Sequence, residues 1–487
     1  MSAKSIREFD GKALLAYFLP RSPIFGVPCT AEYPQLAPKL AQLRFSPDAS
    51  ESEIKEVFDK AQACYPWLTE SGARFVCKPD MLIKRRGKSG LLGLNKTWEE
   101  VKQWVGERAG KTQQVEHVEG KLTVFLVEPF VKHDQKSEYY ININSSREGD
   151  NILFYHEGGV DVGDVDAKAS KLLVPIDLSK FPSDEDITSQ LFQHVPEGQR
   201  SALLNFVKRL YAVYVDLQFT YMEINPLVVL ETANGIEFHA LDLAGKVDQT
   251  AEFECGPKWS IARSDEQLGK ALKDESAVVT VDNGPPMEFP SPFGRDLTPE
   301  ESYIADIDAK TGASLKLTVL NPKGSIWTLV AGGGASVVYA DAIASAGYAD
   351  DLANYGEYSG APNEAQTYAY AKTVLNLMVR GDVYPNGKVL FIGGGIANFT
   401  SVGSTFKGII RAFRDTKDEI LKHKIRIYVR RGGPSWQEGL RLLTDAGNEL
   451  KLPMEIYGPE MHVSGIVPLA LSGKKFDIKP FGVTPSA

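Results

Sequence analysis

The segment YMEINPLVVL, residues 221–230, is followed after a short polar stretch by FHALDLA, residues 238–244. Both segments are apolar and rich in residues that favour β-strands, and Asn234-Gly235 lies between them. This dipeptide suits a tight turn, because asparagine and glycine adopt positive φ angles more readily than other residues. The pattern therefore predicts an antiparallel β-hairpin.

The polar residues of this hairpin predict a ligand site. Asn225 and Asp242 face each other across the predicted strands, and Glu223 alternates onto the same side as Asn225. Pro226 limits ladder hydrogen bonding, as expected near an edge or a strand end. Mg²⁺ selects oxygen ligands and usually combines one or two carboxylates with substrate phosphates, so this set indicates a Mg-nucleotide site. The alternative is an exposed hairpin whose acids are solvated.

Length and composition narrow the class of protein. A chain of 487 residues is too long for one core, so two or three domains are expected. The net charge of -9 argues against a nucleic-acid interface. The four cysteines, Cys29, Cys64, Cys77 and Cys255, are far apart, which predicts free thiols in a reducing compartment. The N-terminus lacks an apolar signal segment and no run is long enough to span a bilayer, so we expect a cytoplasmic protein without membrane contact.

Two segments before the hairpin predict phosphate-binding elements. FVCKPD, residues 75–80, is a short apolar strand that reaches Lys78, and KRRGKSGLLG, residues 84–93, follows it with three glycines among basic residues. Glycines allow backbone amides to approach a phosphate, while the basic side chains supply charge. The spacing is not that of a Walker loop. A solvated basic loop is the alternative interpretation.

Further segments predict the surroundings of a nucleotide. LTVFLVEPFV, residues 122–131, predicts either a strand that offers backbone groups beside an adenine ring or a plain core strand. Strands are also predicted at residues 138–143 and 152–155, and HEGGVDVGD, residues 156–164, follows them. Two adjacent glycines flanked by acids are not typical of a core. This segment therefore predicts a mobile loop that faces a phosphate or a metal.

The last third of the chain alternates predicted strands and helices, which indicates βαβ units and a parallel sheet. Strands are predicted at residues 325–331, 389–392 and 425–429, with helices that begin at Ala335, Thr400 and Trp436. Each strand ends in a turn suited to an anion, namely AGGGAS at 331–336, GGGIANFT at 393–400 and RRGGP at 430–434. Because ligands of open α/β sheets bind outside the carboxyl ends of the strands, these turns predict one anion site. Neither glycine triplet matches the dinucleotide-binding GxGxxG pattern.

The segment between these two regions breaks the pattern. Residues 256–292 are charged and then proline-rich, which predicts a linker or an insertion. After it, IADIDAKTGAS, residues 304–314, predicts an oxygen-rich turn between strands. Asp308 and Thr311 in this turn are candidate ligands of a second cation, and a solvated turn is the alternative.

Taken together and in this order, the motifs of the first half resemble the ATP-grasp domain of the succinyl-CoA synthetase β-subunit superfamily. KPDMLIKRRGKSGLLG, HEGGVDVGDVDAKA and LDLAGKVD are more similar to ATP-citrate lyase than to succinyl-CoA synthetase. The resemblance extends over residues 2–471. It implies an α/β fold, with an ATP-grasp domain at 1–255, a linker or insertion at 256–292, a Rossmann/flavodoxin-like parallel-sheet citrate-binding domain at 293–475 and a C-terminal tail at 476–487.

Carried over residue by residue, the resemblance implies three sets of ligands. Lys78, Arg86 and Gly87 would contact the phosphates of ATP, and Pro129, Val131 and Glu138 would hold its adenine and ribose. Asn225 and Asp242 would bind Mg²⁺, which agrees with the argument from the hairpin. Citrate would be bound by Ser359, Gly360, Asn398, Thr400 and Arg431. NYGEYSGAP at residues 354–362 replaces the DVGGGA typical of succinyl-CoA synthetase, and this departure favours citrate as the substrate.

The activity implied by the resemblance is that of the ATP- and citrate-binding subunit in the two-subunit form of the family. The complete enzyme would convert ATP, citrate and CoA to acetyl-CoA, oxaloacetate, ADP and phosphate, and so supply acetyl-CoA for lipid synthesis. In the family a histidine in a Gly-His-Ala-Gly type loop carries the phosphoryl group. None of the seven histidines here lies in such a loop. His156, which adjoins the Glu-Gly-Gly segment, is the local alternative.

We therefore expect no catalytic residue in this chain. A partner subunit in a hetero-oligomer is expected to supply the phosphohistidine, most of the CoA site and the lyase domain. Two alternatives remain: a β-type subunit of another acyl-CoA synthetase that acts on a smaller dicarboxylate, and a non-catalytic sensor of citrate or nucleotide.

Overall fold

The computed structural model describes residues 3–21, 23, 26–29, 32–33, 38–83, 86–116, 118–159, 165–176, 181–233, 235–271, 284–295, 297–396 and 400–484. The chain divides into two compact units, residues 1–296 and 297–487. Among the described residues, none of the helices is long and apolar enough to cross a membrane.

The first unit combines sheets and helices in one α/β arrangement. Its elements are β1 Ala3–Ile6, α1 Glu8–Phe18, β2 Ala41–Arg44, α2 Glu51–Cys64, β3 Phe75–Pro79, β4 Gly93–Lys96, α3 Trp98–Gly106, β5 Thr112–Val115, β6 Val118–Lys121, β7 Val124–Pro129, β8 Glu138–Ser145, β9 Gly149–Tyr155, α4 Val165–Lys168, β10 Ser170–Pro175, α5 Asp184–Leu191, α6 Glu197–Asp216, β11 Phe219–Thr232, β12 Gly235–Ala240, β13 Leu243–Asp248 and α7 Glu252–Ile261. The predicted domain end at residue 255 therefore lies inside α7.

Two antiparallel sheets form most of this unit. The larger has the order β1-β13-β11-β8-β9-β10, with β12 paired to β11, and the smaller has the order β2-β7-β3-β4. One face of the larger sheet packs on α6, whose Phe206 and Leu210 share a core with Ile141 and Ile224. The lack of a side chain at Gly11 allows α1 to pack close to β13. A Cβ at this position would lie 2.3 Å from Leu243 Cδ2.

The predicted hairpin is confirmed as β11 and β12. Leu227 lies opposite Ala240 and Thr232 opposite Gly235. The same register places Asn225 opposite Asp242, and the Asn225 N–H donates to the Asp242 carbonyl at 3.1 Å. The expectation that Pro226 lies near an edge or a strand end is wrong, since β11 extends from Phe219 to Thr232 and pairs with β8, β12 and β13. Pro226 is accommodated because it lies where the partner of β11 changes from β13 to β12, a point at which the ladder needs no donor.

The second unit is a parallel sheet covered by helices on both faces. Its elements are α8 Pro299–Ala309, β14 Ser314–Val319, β15 Ile326–Ala331, α9 Gly333–Ile343, β16 Asn354–Ser359, α10 Glu364–Met378, β17 Lys388–Gly394, α11 Val402–Lys422, β18 Ile425–Arg430, α12 Trp436–Leu450, β19 Met454–Tyr457, α13 Ile466–Ser472 and β20 Gly482–Val483. The sheet order is β14-β16-β15-β17-β18-β19-β20. Adjacent strands from β16 to β19 run parallel, as predicted, while the edge strands β14 and β20 pair antiparallel.

Two predicted segments differ from the structure. Residues 304–309, predicted as part of a turn, are the end of α8. This helix begins with a capping box, in which the Thr298 hydroxyl accepts from the Glu301 N–H and the Glu301 carboxylate accepts from the Thr298 N–H. The predicted C-terminal tail contributes β20, where Gly482 and Val483 pair with β19. A two-residue strand is too short for alternation to reveal it in a sequence.

Candidate functional site

A buried cluster of charges in the first unit is built around Lys78, at the end of β3. The Lys78 ammonium donates to Glu8 Oε1 at 2.7 Å and to the Leu241 carbonyl at 2.6 Å, and it lies 2.8 Å from Glu128 Oε1. Burial opposes its charge, but the carboxylates of Glu128 and Glu8 outweigh burial and raise the pKa of Lys78 above its ordinary value. Lys78 is therefore a fixed cation.

Arg86 brings a second cation to the same cluster from the basic glycine-rich segment. Its Nη2 atom contacts Glu8 Oε2 at 2.6 Å and also donates to the Asp242 carboxylate, while Nη1 donates to the Pro79 carbonyl at 2.9 Å. Asp242 remains 46% exposed although its partner is buried. The structure thus brings together Lys78, Arg86 and Asp242, three residues assigned by resemblance to the nucleotide and its metal.

Sequence analysis missed three members of the cluster: Glu128 of β7, and a helical pair formed by Glu8 and Lys12. The pair lies on α1, and Lys12 Nζ contacts Glu8 Oε1 at 2.7 Å and the two carboxylate oxygens of Glu128 at 2.9 and 2.7 Å. The available signal was a Glu and a Lys four residues apart, and therefore on one helix face, in a segment whose other residues are mostly apolar. Adjacent cations also hold the pKa of Glu8 far below its usual range although burial acts to raise it.

The predicted metal ligand Asn225 is tied to the glycine pair. The Asn225 Oδ1 atom accepts from the Gly159 N–H at 2.8 Å. Gly159 has a φ of +95°, which strongly favours glycine, and a Cβ there would lie 2.2 Å from Glu138 Oε2, so this carboxylate would have to move. The remainder of this predicted loop, residues 160–164, lies outside the described residues, as do Lys84 and Arg85 of the basic segment.

The residues assigned to adenine and ribose continue this chain of contacts. The Gly158 N–H donates to the Glu138 carbonyl at 2.7 Å. Glu138 Oε1 lies 2.9 Å from His133 Nε2, and His133 Nδ1 lies 2.7 Å from the Val131 carbonyl. Pro129 ends β7 opposite Phe75 of β3. Gly87 occupies the exposed turn after Arg86, where its carbonyl accepts from the Gly90 N–H at 3.3 Å.

The oxygen atoms of this region suit a metal ion that is bound partly by the protein and partly by a bound ligand. Asn225 and Asp242 supply one amide oxygen and one carboxylate, and the described residues contain no group of three or more His, Cys, Asp or Glu side chains suited to a metal ion. Mg²⁺ is commonly held by one or two carboxylates together with substrate phosphates. The Glu223 carboxylate, predicted on the same side, accepts a hydrogen bond from the Tyr221 hydroxyl.

A cavity of about 360 Å³ lies in the second unit at the carboxyl ends of β15, β17 and β18. It is lined by Ala331, Gly332, Ala335, Tyr358, Ser359, Gly360, Gly395, Ile396, Thr400 and Arg431. Four of the five residues assigned to citrate are in this set, and the fifth, Asn398, lies outside the described residues. The three predicted turns therefore converge on one cavity.

Arg431 is the charged group of this cavity. It is only 1% exposed, and its Nη1 atom donates to the Gly395 carbonyl at 3.3 Å. Within the described part of the chain, its Nε and Nη2 atoms have no hydrogen-bond partner. Because a buried guanidinium needs acceptors, this arrangement fits an anionic ligand with at least two oxygens.

The neighbouring arginine has a different role. Arg430 donates through Nε to the Met461 carbonyl at 2.8 Å, through Nη1 to the Gly394 carbonyl at 2.9 Å and through Nη2 to the Pro459 carbonyl at 3.0 Å. All three of its nitrogens are thus engaged with the backbone. Of the two adjacent arginines, Arg431 is the one available to a ligand.

Smaller polar groups complete the cavity. The Thr400 hydroxyl accepts from the Ala361 N–H at 3.1 Å, which joins the turn at 393–400 to the segment that follows β16. Gly332, with a φ of +97°, precedes α9, so the free amides at the start of this helix lie at the cavity wall. Such amides favour an anion by about 0.3–1 kcal/mol per charge where exposed.

Family models match most of the chain. The model described as the ATP-citrate synthase ATP-grasp domain matches residues 2–259, and the model described as ATP citrate lyase citrate-binding matches residues 295–473. The chain belongs to the ATP-citrate synthase family. Members of this family are enzymes, and the ATP-grasp domain is their ATP-binding part.

Several members are similar over nearly the whole chain. "Probable ATP-citrate synthase subunit 2" of Schizosaccharomyces pombe is 59% identical over 97% of this chain and 98% of its own length. ATP-citrate synthase of Homo sapiens is 48% identical over 99% of this chain, which spans only 39% of that longer protein. The structure of ATP citrate lyase from Methanothrix soehngenii in complex with citrate and coenzyme A is 40% identical and superposes with a TM-score of 0.75, covering 96% of this chain and 100% of that one.

Asp308 and Thr311 were predicted from the sequence as candidate ligands of a second cation. In the structure both make contacts with neighbouring residues of the chain. Asp308 Oδ1 accepts from the Leu315 N–H at 2.8 Å, and Oδ2 pairs with Lys316. The Thr311 hydroxyl donates to the Ala313 carbonyl at 3.4 Å. These contacts close the turn between α8 and β14, and they account for both oxygens of Asp308.

Proposed function

We propose that this chain is the ATP- and citrate-binding subunit of a two-subunit ATP-citrate synthase. Together with its partner it would convert ATP, citrate and CoA to acetyl-CoA, oxaloacetate, ADP and phosphate. The observation that carries the proposal is Arg431, a buried guanidinium whose Nε and Nη2 atoms face no acceptor in the described part of the chain, in a cavity that also has hydroxyls and helix amides. A small polycarboxylate with a hydroxyl meets these donors with matching acceptors.

In the first unit, Lys78 and Arg86 would contact the phosphates of ATP. Their two positive charges would offset the charge on the transferring phosphoryl group, for which positioning and electrostatics are the main catalytic effects. Asn225 and Asp242 would hold Mg²⁺, which when bound supplies further positive charge to the phosphates. Pro129 and Val131 would border the adenine, and Glu138 would accept hydrogen bonds from the ribose.

In the second unit, Arg431 would hold one carboxylate of citrate through two parallel hydrogen bonds. Ser359, Thr400 and Asn398 would bind the remaining carboxylates and the hydroxyl, and Gly360 would let the backbone approach. The phosphohistidine and most of the CoA site would belong to a partner subunit in the cytoplasm, so the phosphoryl acceptor would not be a residue of this chain.

The test is to incubate the purified chain with citrate, CoA and γ-labelled ATP, with and without a histidine-bearing, CoA-binding subunit of the family. We expect binding of ATP and citrate by the chain alone, and acetyl-CoA only with the partner. Acid-labile label on His156 together with CoA-dependent product from the chain alone would refute the two-subunit proposal. Tighter binding of succinate than of citrate would instead favour a subunit of another acyl-CoA synthetase.

A further inference from the structure

The carboxylate of Glu8 touches three cations at once. Oε1 lies 2.7 Å from both Lys12 Nζ and Lys78 Nζ, and Oε2 lies 2.6 Å from Arg86 Nη2. The side chain is only 2% exposed. It therefore joins the two proposed phosphate-binding cations, which come from β3 and from the segment after it, to one rigid point on α1.

The other two acids of the cluster are placed differently. Glu128, 12% exposed, contacts Lys78 and Lys12, and Asp242, 46% exposed, contacts Arg86. The Glu8 carboxylate and the Leu241 carbonyl accept hydrogen bonds from Lys78, and Glu128 Oε1 lies 2.8 Å from the same ammonium, so three acceptors surround it. A phosphate can therefore reach Lys78 only if one of these acceptors withdraws.

Burial decides which acceptor withdraws. An exposed carboxylate that leaves a cation is rehydrated, whereas a buried carboxylate that loses its partners stays desolvated and unpaired, which is strongly unfavourable. Asp242 can turn to solvent or to a metal, and Glu128 keeps Lys12 as a partner, with contacts of 2.9 and 2.7 Å to its two oxygens. Glu8 is only 2% exposed and joins Lys78 to Arg86, so its withdrawal would leave a carboxylate desolvated and would separate the two cations.

We propose that Glu8 is a positioning residue that holds the ammonium of Lys78 and the guanidinium of Arg86 side by side for the phosphates of the nucleotide, while Glu128 and Asp242 are exchangeable partners that phosphate replaces. Lys12 is the cation that retains Glu128 during this exchange. The inference rests on the proposed function of the first unit, and it adds a residue to which neither the motifs nor the resemblance assigned a role.

The test compares the full chain with its variants E8Q, E8D, E128Q and D10N by calorimetric titration with Mg²⁺ and a non-hydrolysable ATP analogue. D10N is the matched control, since Asp10 is a buried carboxylate on the same helix but is paired with Arg263 at 2.8 Å outside the cluster. Removal of one charged hydrogen-bonding partner predicts that E8Q binds the analogue roughly tenfold more weakly or worse. D10N should lower the melting temperature without a change in affinity.

The direction in which E128Q changes the affinity for the analogue distinguishes a positioning role of Glu8 from a general loss of stability. E128Q removes an acid that competes with phosphate, so it should bind the analogue as tightly as the unsubstituted chain or more tightly. E8D keeps the charge but draws the carboxylate back by one methylene, so its affinity should fall between those of E8Q and the unsubstituted chain. E8D gives a result even where E8Q does not fold.

Three outcomes would overturn the inference. They are unchanged affinity in E8Q or E8D, equal losses of affinity in E8Q and D10N, or a larger loss in E128Q than in E8Q. Absence of any analogue binding by the unsubstituted chain would refute the proposed nucleotide site itself, and the inference with it. Citrate affinity, measured on the same samples, should be the same in all variants.

Discussion

Substitution of Arg431 by methionine separates ligand binding from folding stability. Arg431 Nε and Nη2 are buried without partners in the described part of the chain, so both are available to a carboxylate of citrate. A charged hydrogen bond contributes about 1.5–3 kcal/mol. Loss of one such bond should weaken citrate binding by roughly 10- to 150-fold, and loss of both should weaken it further.

The same substitution should not destabilise the ligand-free chain. Methionine fills a similar volume, and it removes a buried charge whose donors are only partly satisfied, a change that is often neutral or stabilising. R430M is the matched control, because Arg430 donates to the carbonyls of Met461, Gly394 and Pro459. Leaving these buried carbonyls without donors should lower the free energy of unfolding by about 1–3 kcal/mol.

The assay is calorimetric titration of each variant with citrate, together with thermal unfolding in the absence of ligand. R431M should lose citrate affinity and keep its melting temperature, whereas R430M should lose melting temperature. Citrate affinity of R431M within about twofold of the unsubstituted chain, well inside the effect of one charged hydrogen bond, would show that the guanidinium does not contact the ligand. A melting temperature that falls equally in both variants would refute the distinction drawn between the two arginines.

Three further predictions concern other parts of the chain. D242N should weaken binding of a Mg-ATP analogue by roughly tenfold or more through loss of a carboxylate ligand, while citrate affinity stays constant in calorimetry. G159A should weaken nucleotide binding, because a φ of +95° is strained for alanine and the new Cβ would displace the Glu138 carboxylate; unchanged affinity for the Mg-ATP analogue would contradict this reasoning. Burial and, to a smaller extent, the positive charge of Lys388 lower the pKa of His423 in the folded chain. As the pH falls, the unfolded chain therefore binds a proton at this histidine before the folded chain does. The free energy of unfolding should then decrease as pH falls below about 6.5. H423Q should flatten this part of the stability profile measured by denaturant unfolding, and an unaltered slope would assign it to other groups.

Much of the fold could be predicted because it follows from local patterns. The hairpin of β11 and β12 is encoded by two apolar runs and a two-residue turn signal, and its register follows from the length of that turn. The alternation of strands and helices after residue 325 likewise specifies a parallel sheet. The helix α8 was missed because its acids were interpreted as ligands, whereas Thr298, Pro299 and Glu301 form a helix-starting pattern.

The candidate sites were predictable to different degrees for a physical reason. The turns around Arg431 are adjacent in space because parallel strands end at one edge of the sheet, so topology alone brings them together. Glu8 contacts Lys78 across 70 positions of sequence, and no periodicity encodes this contact. The distinct environments of Arg430 and Arg431 also depend on carbonyls from distant segments, which a sequence does not place.

The separation between the sheet and its turns in the second unit has an evolutionary consequence. The interior of β15, β17 and β18 is buried and tolerates little change, but the cavity is lined mainly by residues that follow these strands. Loops supported by a rigid scaffold accept substitutions without loss of the fold. A descendant of this chain could therefore acquire selectivity for a different carboxylic acid through a few replacements in three short turns, with the inherited framework and its folding left intact.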